Sequence, residues 1–165
     1  MPTARRTRTI AAPVEDVWRV VCDPHHLPRW WPRVTRVEDV GEDGTFTEVM
    51  QTRKGKTVRA DFQLVESDES ALRVRWDQRL EGTPFAGVLR SSETELQLER
   101  ADATPGAGTE VTIELRQVLK DAWEPRSPLV RRVMPGGGSF GGRLVRRAAN
   151  QTIGEALDGL ERISV

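Results

Sequence analysis

Tyrosine is absent from this sequence, cysteine occurs only at Cys22, and histidine only at His25 and His26. The first and third of these scarcities leave no candidate for a buried Tyr or His proton relay beyond the first helices. A lone cysteine excludes an internal disulfide and any cluster of thiolate metal ligands. With no HExxH pattern either, neither a metal site nor a cofactor is expected. Lysine is rare, and the 25 Lys and Arg are balanced by 25 Asp and Glu, so net charge gives no support to a nucleic-acid partner. No run approaches the roughly 18 apolar residues of a membrane span. The basic N-terminus MPTARRTRTI is not followed by the apolar stretch of a secretory signal,. A cytoplasmic protein with no nucleic-acid partner and no integral membrane association is expected; oligomeric state is not specified.

What is present is a 165-residue chain, 37% apolar and 30% charged, which suits one domain spanning 1–165 with an ordered core over 5–163. Thr7 to Ala11 reads as a strand ended by Ala12-Pro13. Val14, Val17, Trp18, Val20 and Val21 follow at helical spacing, with Glu15 and Asp16 near the positive end of the helix,. Asp23-Pro24 stops that helix, and a second short one, His25 to Trp31, closes at Pro32. From Arg33 the period becomes two. Val34, Arg36, Glu38 and Val40, then Phe46, Glu48 and Met50, then Val58, Ala60, Phe62 and Leu64, then Leu72, Val74 and Trp76 each share a strand face between turn-rich segments,. Leu80 to Gly87 reads as a broken connection, Val88 to Arg100 as a long strand, and Val111 to Leu115 as the last strand, continuing toward Leu119.

Asp121 to Gly142 is the least regular region, with a short helix around Leu129 to Met134 and a flexible tip at Pro135-Gly136-Gly137-Gly138-Ser139,. The Gly136–Gly138 run lacks the Lys and the strand–helix context of a phosphate-binding loop, and its better use is as a gate. The final segment, Phe140 to Ile163, repeats apolar residues at three-and-four spacing,. Leu144, Val145, Ile153, Leu157, Leu160 and Ile163 are expected to anchor this helix to a sheet, while Ala148, Ala149, Thr152 and Ala156 leave room for a cavity. The expected architecture is α+β: a bent antiparallel sheet of about seven strands wrapped around a long C-terminal helix, with two short helices after the first strand.

This arrangement resembles the START-like (SRPBCC) superfamily, the helix-grip fold of lipid-transfer, pollen-allergen-type and bacterial polyketide cyclase/dehydrase proteins. The resemblance covers essentially the whole chain. It is carried by the strand leading into Ala12-Pro13-Val14-Glu15-Asp16-Val17-Trp18, by Trp30-Trp31-Pro32 and Val37, by the strands ending in Trp76, by Gly108-Thr109-Glu110-Val111, and by the Gly142 to Leu160 helix. It implies a hydrophobic cavity between helix and sheet, with Trp30, Phe62, Trp76, Leu144 and Ala148 at lining positions.

To these the residues themselves add Ser92, Thr94 and Thr152, and the apolar Trp123, Met134 and Phe140. One parity of the Val88–Arg100 strand must face the helix, bringing in either Ser92 and Thr94 or Ser91, Glu93 and Glu95; alternatively the strand runs past the core, wet on both faces. Trp76 is either core or cavity wall. Cys22 reads as a small buried apolar residue. The basic residues Arg131, Arg132, Arg143, Arg146 and Arg147 read as a solvated face. The expected function is binding or transport of a small hydrophobic, amphipathic or aromatic molecule. An alternative is a polyketide cyclase/aromatase-type enzyme, with His25, His26, Arg90 and Glu93 as candidate catalytic residues. A further alternative is a protein-interaction module using the apolar groove.

Overall fold

In a computed structural model, residues 3–52, 54–102, 108–120 and 137–164 are described, with the backbone alone for 137–141. Strand β1 (Ala4–Ile10) leads into α1 (Val14–Val21), a 3-10 turn (Pro24–His26) and α2 (Leu27–Trp30). Strands β2 (Val34–Glu38), β3 (Thr45–Gln51), β4 (Thr57–Asp68), β5 (Arg73–Arg79), β6 (Leu89–Arg100) and β7 (Thr109–Leu119) follow, then the long helix α3 (Gly137–Ile163). The seven strands form one antiparallel sheet in the order β1-β7-β6-β5-β4-β3-β2. This is the expected helix-grip architecture.

Local chemistry sets each piece. Val14, Val17, Trp18 and Val21 are the buried stripe of α1, one face at i, i+3, i+4 and i+7,. Asp23 caps the turn that follows, its carboxylate accepting from the His25 backbone N–H at 3.0 Å,. The chain then reverses at Arg33, which takes a positive φ of 66° immediately after Pro32,. Because β1 and β2 lie at opposite edges, α1 and α2 must carry the chain across the sheet. Register shifts at Val34/Arg36, Leu64/Glu66 and Leu89/Ser91 add the local bends that curl a sheet around a helix. The shift in β4 also explains why Val65 is left 42% exposed.

Helix α3 starts three residues earlier than its apolar periodicity predicts. Gly137, Gly138 and Ser139, expected in a flexible tip, belong to its first turn; helix propensity disfavours glycine by about 1 kcal/mol per residue, which is why the sequence reading stops short. At about 1.5 Å per residue the 27 residues span about 40 Å,. Only the C-terminal half is buried against the sheet, through Ala149, Ile153, Ala156, Leu157 and Leu160. Leu144 in the N-terminal half is 48% exposed. The helix expected around Leu129 to Met134, Pro135 and Gly136 of the glycine tip, and Arg131 and Arg132 of the basic cluster lie outside the described residues; Arg143, Arg146 and Arg147 are exposed.

The closest approach of helix to helix is between α2 and α3. A Cβ added at Gly159 would lie 2.2 Å from the Trp30 carbonyl oxygen, so only glycine lets the two backbones meet there. No helix among the described residues is long and apolar enough to cross a membrane.

Candidate functional site

Between the middle of α3 and the concave face lies a cavity of about 300 Å³, at the small end of the usual range for ligand pockets. Three small residues, Ala148, Ala149 and Thr152, form its helix wall. The sheet wall is built in cross-strand rows. Trp76, Thr94 and Leu115 lie opposite one another on β5, β6 and β7, and Ser92 faces Gln117. Phe62 of β4 stands opposite Gln78 on β5. The β3 side contributes Glu48 and Met50. Trp31, Pro32 and Arg33 close one side, and Phe85, from the 3-10 turn Pro84–Gly87 between β5 and β6, closes another.

Strand parity decides what the interior contains. Ser92 and Thr94, buried at 6% and 4% exposure, share the inward face of β6 with Leu96 and Leu98. Gln117 donates to Ser92 Oγ at 3.4 Å, a long contact that ties up little of either group. The interior is therefore apolar and aromatic, with neutral amide and hydroxyl groups at intervals.

The aromatic part is a connected chain. Trp30 and Trp31 meet edge to face with centroids 5.3 Å apart, and Trp31 and Trp76 do the same at 5.8 Å, the arrangement the ring quadrupole favours. Trp30, 2% exposed, backs the wall from behind rather than lining the cavity, and its Nε1–H has no partner among the described residues. Phe46 stacks on Phe62 at 5.4 Å and extends the same wall under β3 and β4.

Glu48 is the exception to this apolar lining. It sits at the centre of β3 on the face shared with Phe46 and Met50, and its strand neighbours, Val37 on β2 and Ala60 on β4, offer no side-chain polar group. It is 1% exposed, and Oε1 has no hydrogen-bond partner among the described residues. Burial pushes its carboxyl up to about 8, with no cation among the described residues near enough to favour the charged form. Arg33 is the other titratable side chain among the described lining residues, and its Nη2 lies 3.9 Å from Glu155 on α3. The sequence reading placed Glu48 on the right strand face but gave it no role. A carboxylate between two large apolar residues of one parity was the signal.

Of the residues expected at a ligand cavity, Phe62, Trp76, Ser92, Thr94, Ala148 and Thr152 are placed around this space. Trp30 lies one layer behind, and Leu144 lies on the exposed part of α3. Trp123 and Met134 lie outside the described residues, as does the side chain of Phe140. The four residues considered for catalysis are not among those lining the cavity. His25 is exposed, with Nδ1 2.9 Å from Asp23, and His26 contacts Arg29 at 3.3 Å. Glu93 has the outward parity of β6 and accepts from Arg116 at 2.6 Å, in a cluster where Arg116 also pairs with Glu114 and Glu95. Arg90 lines a second, open cleft of about 880 Å³ with Asp77, Arg79 and Glu93, and that cleft adjoins the cavity through the shared residues Gln78 and Ser92. Burial and the neighbouring Asp23 carboxylate keep the half-buried Cys22 thiol protonated. Among the described residues no group of three or more His, Cys, Asp or Glu side chains could hold a metal ion.

Comparison with known proteins agrees with this geometry. The di-domain aromatase/cyclase BexL from the BE-7585A biosynthetic pathway superposes with a TM-score of 0.69 at 19% identity, covering 96% of this chain and 45% of BexL, so the chain spans less than half of that protein. The Zhui aromatase/cyclase from Streptomyces sp. R1128 matches with a TM-score of 0.60 at 18% identity over 93% of this chain and 92% of its own. The protein XoxI from Bacillus cereus matches at 0.67 and 12% identity over 98% and 94%. At such identities these likenesses concern the fold alone. No curated protein matches the sequence. The family model described as "Polyketide cyclase / dehydrase and lipid transport" matches residues 1–164. The chain therefore belongs to that family, within the START-like superfamily of helix-grip proteins.

Proposed function

We propose that this chain is an enzyme of the aromatase/cyclase type, which takes a flexible, hydrophobic, carbonyl-bearing chain into the cavity under α3 and holds it folded for ring closure. The observation that carries this reading is the cavity itself, walled by Trp31, Phe62, Trp76, Phe85 and Leu115 and punctuated by the neutral groups of Gln78, Ser92, Thr94 and Gln117. Apolar walls exclude water and confine a chain to few conformations, which lowers the entropic part of the barrier to an intramolecular reaction. The spaced amides and hydroxyls can fix carbonyl oxygens along it. The reaction needs no redox partner: an α-carbon loses a proton, a carbon–carbon bond forms to a ketone carbon, and the ketone oxygen gains a proton. Loss of water then gives the unsaturated ring. Relatives of the same fold described as aromatase/cyclases support this reading.

A second reading is uptake and transport without turnover. It is favoured by the scarcity of acid–base groups in the cavity, where Glu48 and Arg33 are the titratable residues among those described. One experiment separates the two. The purified protein is mixed with a synthetic poly-β-ketone thioester, ring products are followed by mass spectrometry against the spontaneous reaction, and tryptophan emission reports binding. Acceleration, or a shift to one ring pattern, is expected. Quenching with an unchanged product distribution would overturn the enzymatic reading and leave transport. Native mass spectrometry of protein from its own source shows which molecule it carries.

A further inference from the structure

We propose that Glu48 is the polar anchor of the cavity, donating its carboxyl O–H to an acceptor oxygen of a ligand that is otherwise apolar and uncharged. The inference rests on the cavity being a ligand site and adds to that reading the chemistry by which the ligand is chosen. Glu48 borders the cavity from the centre of β3, is 1% exposed, and leaves Oε1 without a partner. A buried polar group without a partner is a standing cost to the fold. Among the described residues nothing offsets it, so on this proposal the partner comes from what enters.

The surrounding charges decide the form of the carboxyl. On the flanking strands, Arg36 and Arg59 pair with Glu38, and Asp61 accepts from Thr47 of β3. From α3, Glu155 is bridged to Arg33. None of these cations shifts Glu48, and burial holds its proton up to about pH 8. In the neutral form it is a donor, while the amides and hydroxyls of Gln78, Ser92, Thr94 and Gln117 serve as donor or acceptor alike. A ligand ammonium would require Glu48 to ionise and would itself lose its hydration among neutral groups. A ketone, ester or quinone oxygen needs neither. A site built to hydrogen-bond an oxygen discriminates strongly against the analogue that lacks it.

The test uses two probes of the same shape, 2-acetylnaphthalene and 2-ethylnaphthalene, whose binding is read by tryptophan quenching in the wild type, Glu48→Gln and Glu48→Leu. At about pH 6 the wild type is expected to bind the acetyl probe on the order of tenfold more tightly. That preference falls away above about pH 8 as the donor proton is lost,. Glu48→Gln, which keeps an N–H donor, retains a preference that no longer depends on pH, and Glu48→Leu binds both probes alike. The carbonyl stretching band of the bound acetyl probe is lowered in the wild type at about pH 6 and is not lowered in Glu48→Leu. Equal binding of the two probes by the wild type, or a preference that survives in Glu48→Leu, overturns the inference while leaving the cavity a ligand site. Tighter binding of a naphthylmethyl-trimethylammonium ion, growing above about pH 8 and lost in Glu48→Gln, overturns it in favour of a cationic ligand,. Failure of both naphthalenes to bind any variant removes the cavity reading and the inference with it. If Glu48→Leu does not fold, the contrast between the pH profiles of wild type and Glu48→Gln decides.

Discussion

The ring of Trp31 stands edge-on to that of Trp76, with centroids 5.8 Å apart and planes at 72°. This contact joins the end of α2 to the middle of β5 and sets how far the cavity opens on that side. Trp76, 3% exposed, contributes to stability as well as shape. Trp76→Ala is expected to lower unfolding free energy by about 3–5 kcal/mol. Trp31→Ala, at a half-buried position, should cost only about 1–2 kcal/mol and mainly widen the mouth. Urea denaturation of the two variants measures the difference, and equal losses would contradict the assignment of Trp31 to the mouth.

Glu48 should leave a mark on stability as a function of pH. Its folded-state value is raised from 4.5 to about 8, so the folded chain holds a proton that the unfolded chain releases. The stability it contributes is full below about pH 4.5 and is lost as pH rises through about 8, at a slope of up to about 1.4 kcal/mol per pH unit. Glu48→Gln removes this dependence and should be the more stable protein at about pH 8, by a few kcal/mol at most,. Denaturation midpoints across that range check the sign. A wild type that grows more stable relative to Glu48→Gln with rising pH would contradict it.

Gly159 tests the seating of α3. An added methyl would lie 2.2 Å from the Trp30 carbonyl oxygen, with the Trp30 backbone carbons 2.8 and 2.9 Å away. Backbone atoms cannot give way as a flexible side chain can. Gly159→Ala should therefore destabilise by roughly 2–4 kcal/mol, although alanine is the better helix former. Thermal unfolding reads this directly, and a stabilised variant would mean that α2 and α3 do not touch there.

Ala148 offers a way to close the cavity without breaking the core. It lines the cavity yet is exposed, so a larger side chain can be accommodated. Ala148→Phe should leave stability within about 0.5–1 kcal/mol of the wild type and weaken binding of hydrophobic probes by an order of magnitude or more. Unchanged probe affinity would place the ligand elsewhere.

Sequence alone determined the element order, the strand parities and the helical face of α3, because side-chain alternation on a strand and the 3.6-residue helical period are local properties of the backbone. It brought Phe62, Trp76, Ser92, Thr94, Ala148 and Thr152 together through a fold-level resemblance and the polar centre of β6, and the alternation Phe46–Glu48–Met50 was legible in it. What it could not supply was which parity faces inward and which turns of α3 lie against strands. The sheet's curl put Ser92 and Thr94 inside and Glu93 with Arg116 outside. Helix α3 meets α2 at the Gly159–Trp30 contact, with Ala149 to Leu160 supplying its buried residues and Leu144 left exposed. These outcomes depend on contacts between different elements, from Glu93 with Arg116 to Gly159 with Trp30, and no local pattern encodes them. Glu48 is an unpartnered acid inside an aromatic cavity for the same reason: its neighbours in space, rather than its neighbours in the chain, keep water and counter-charge away.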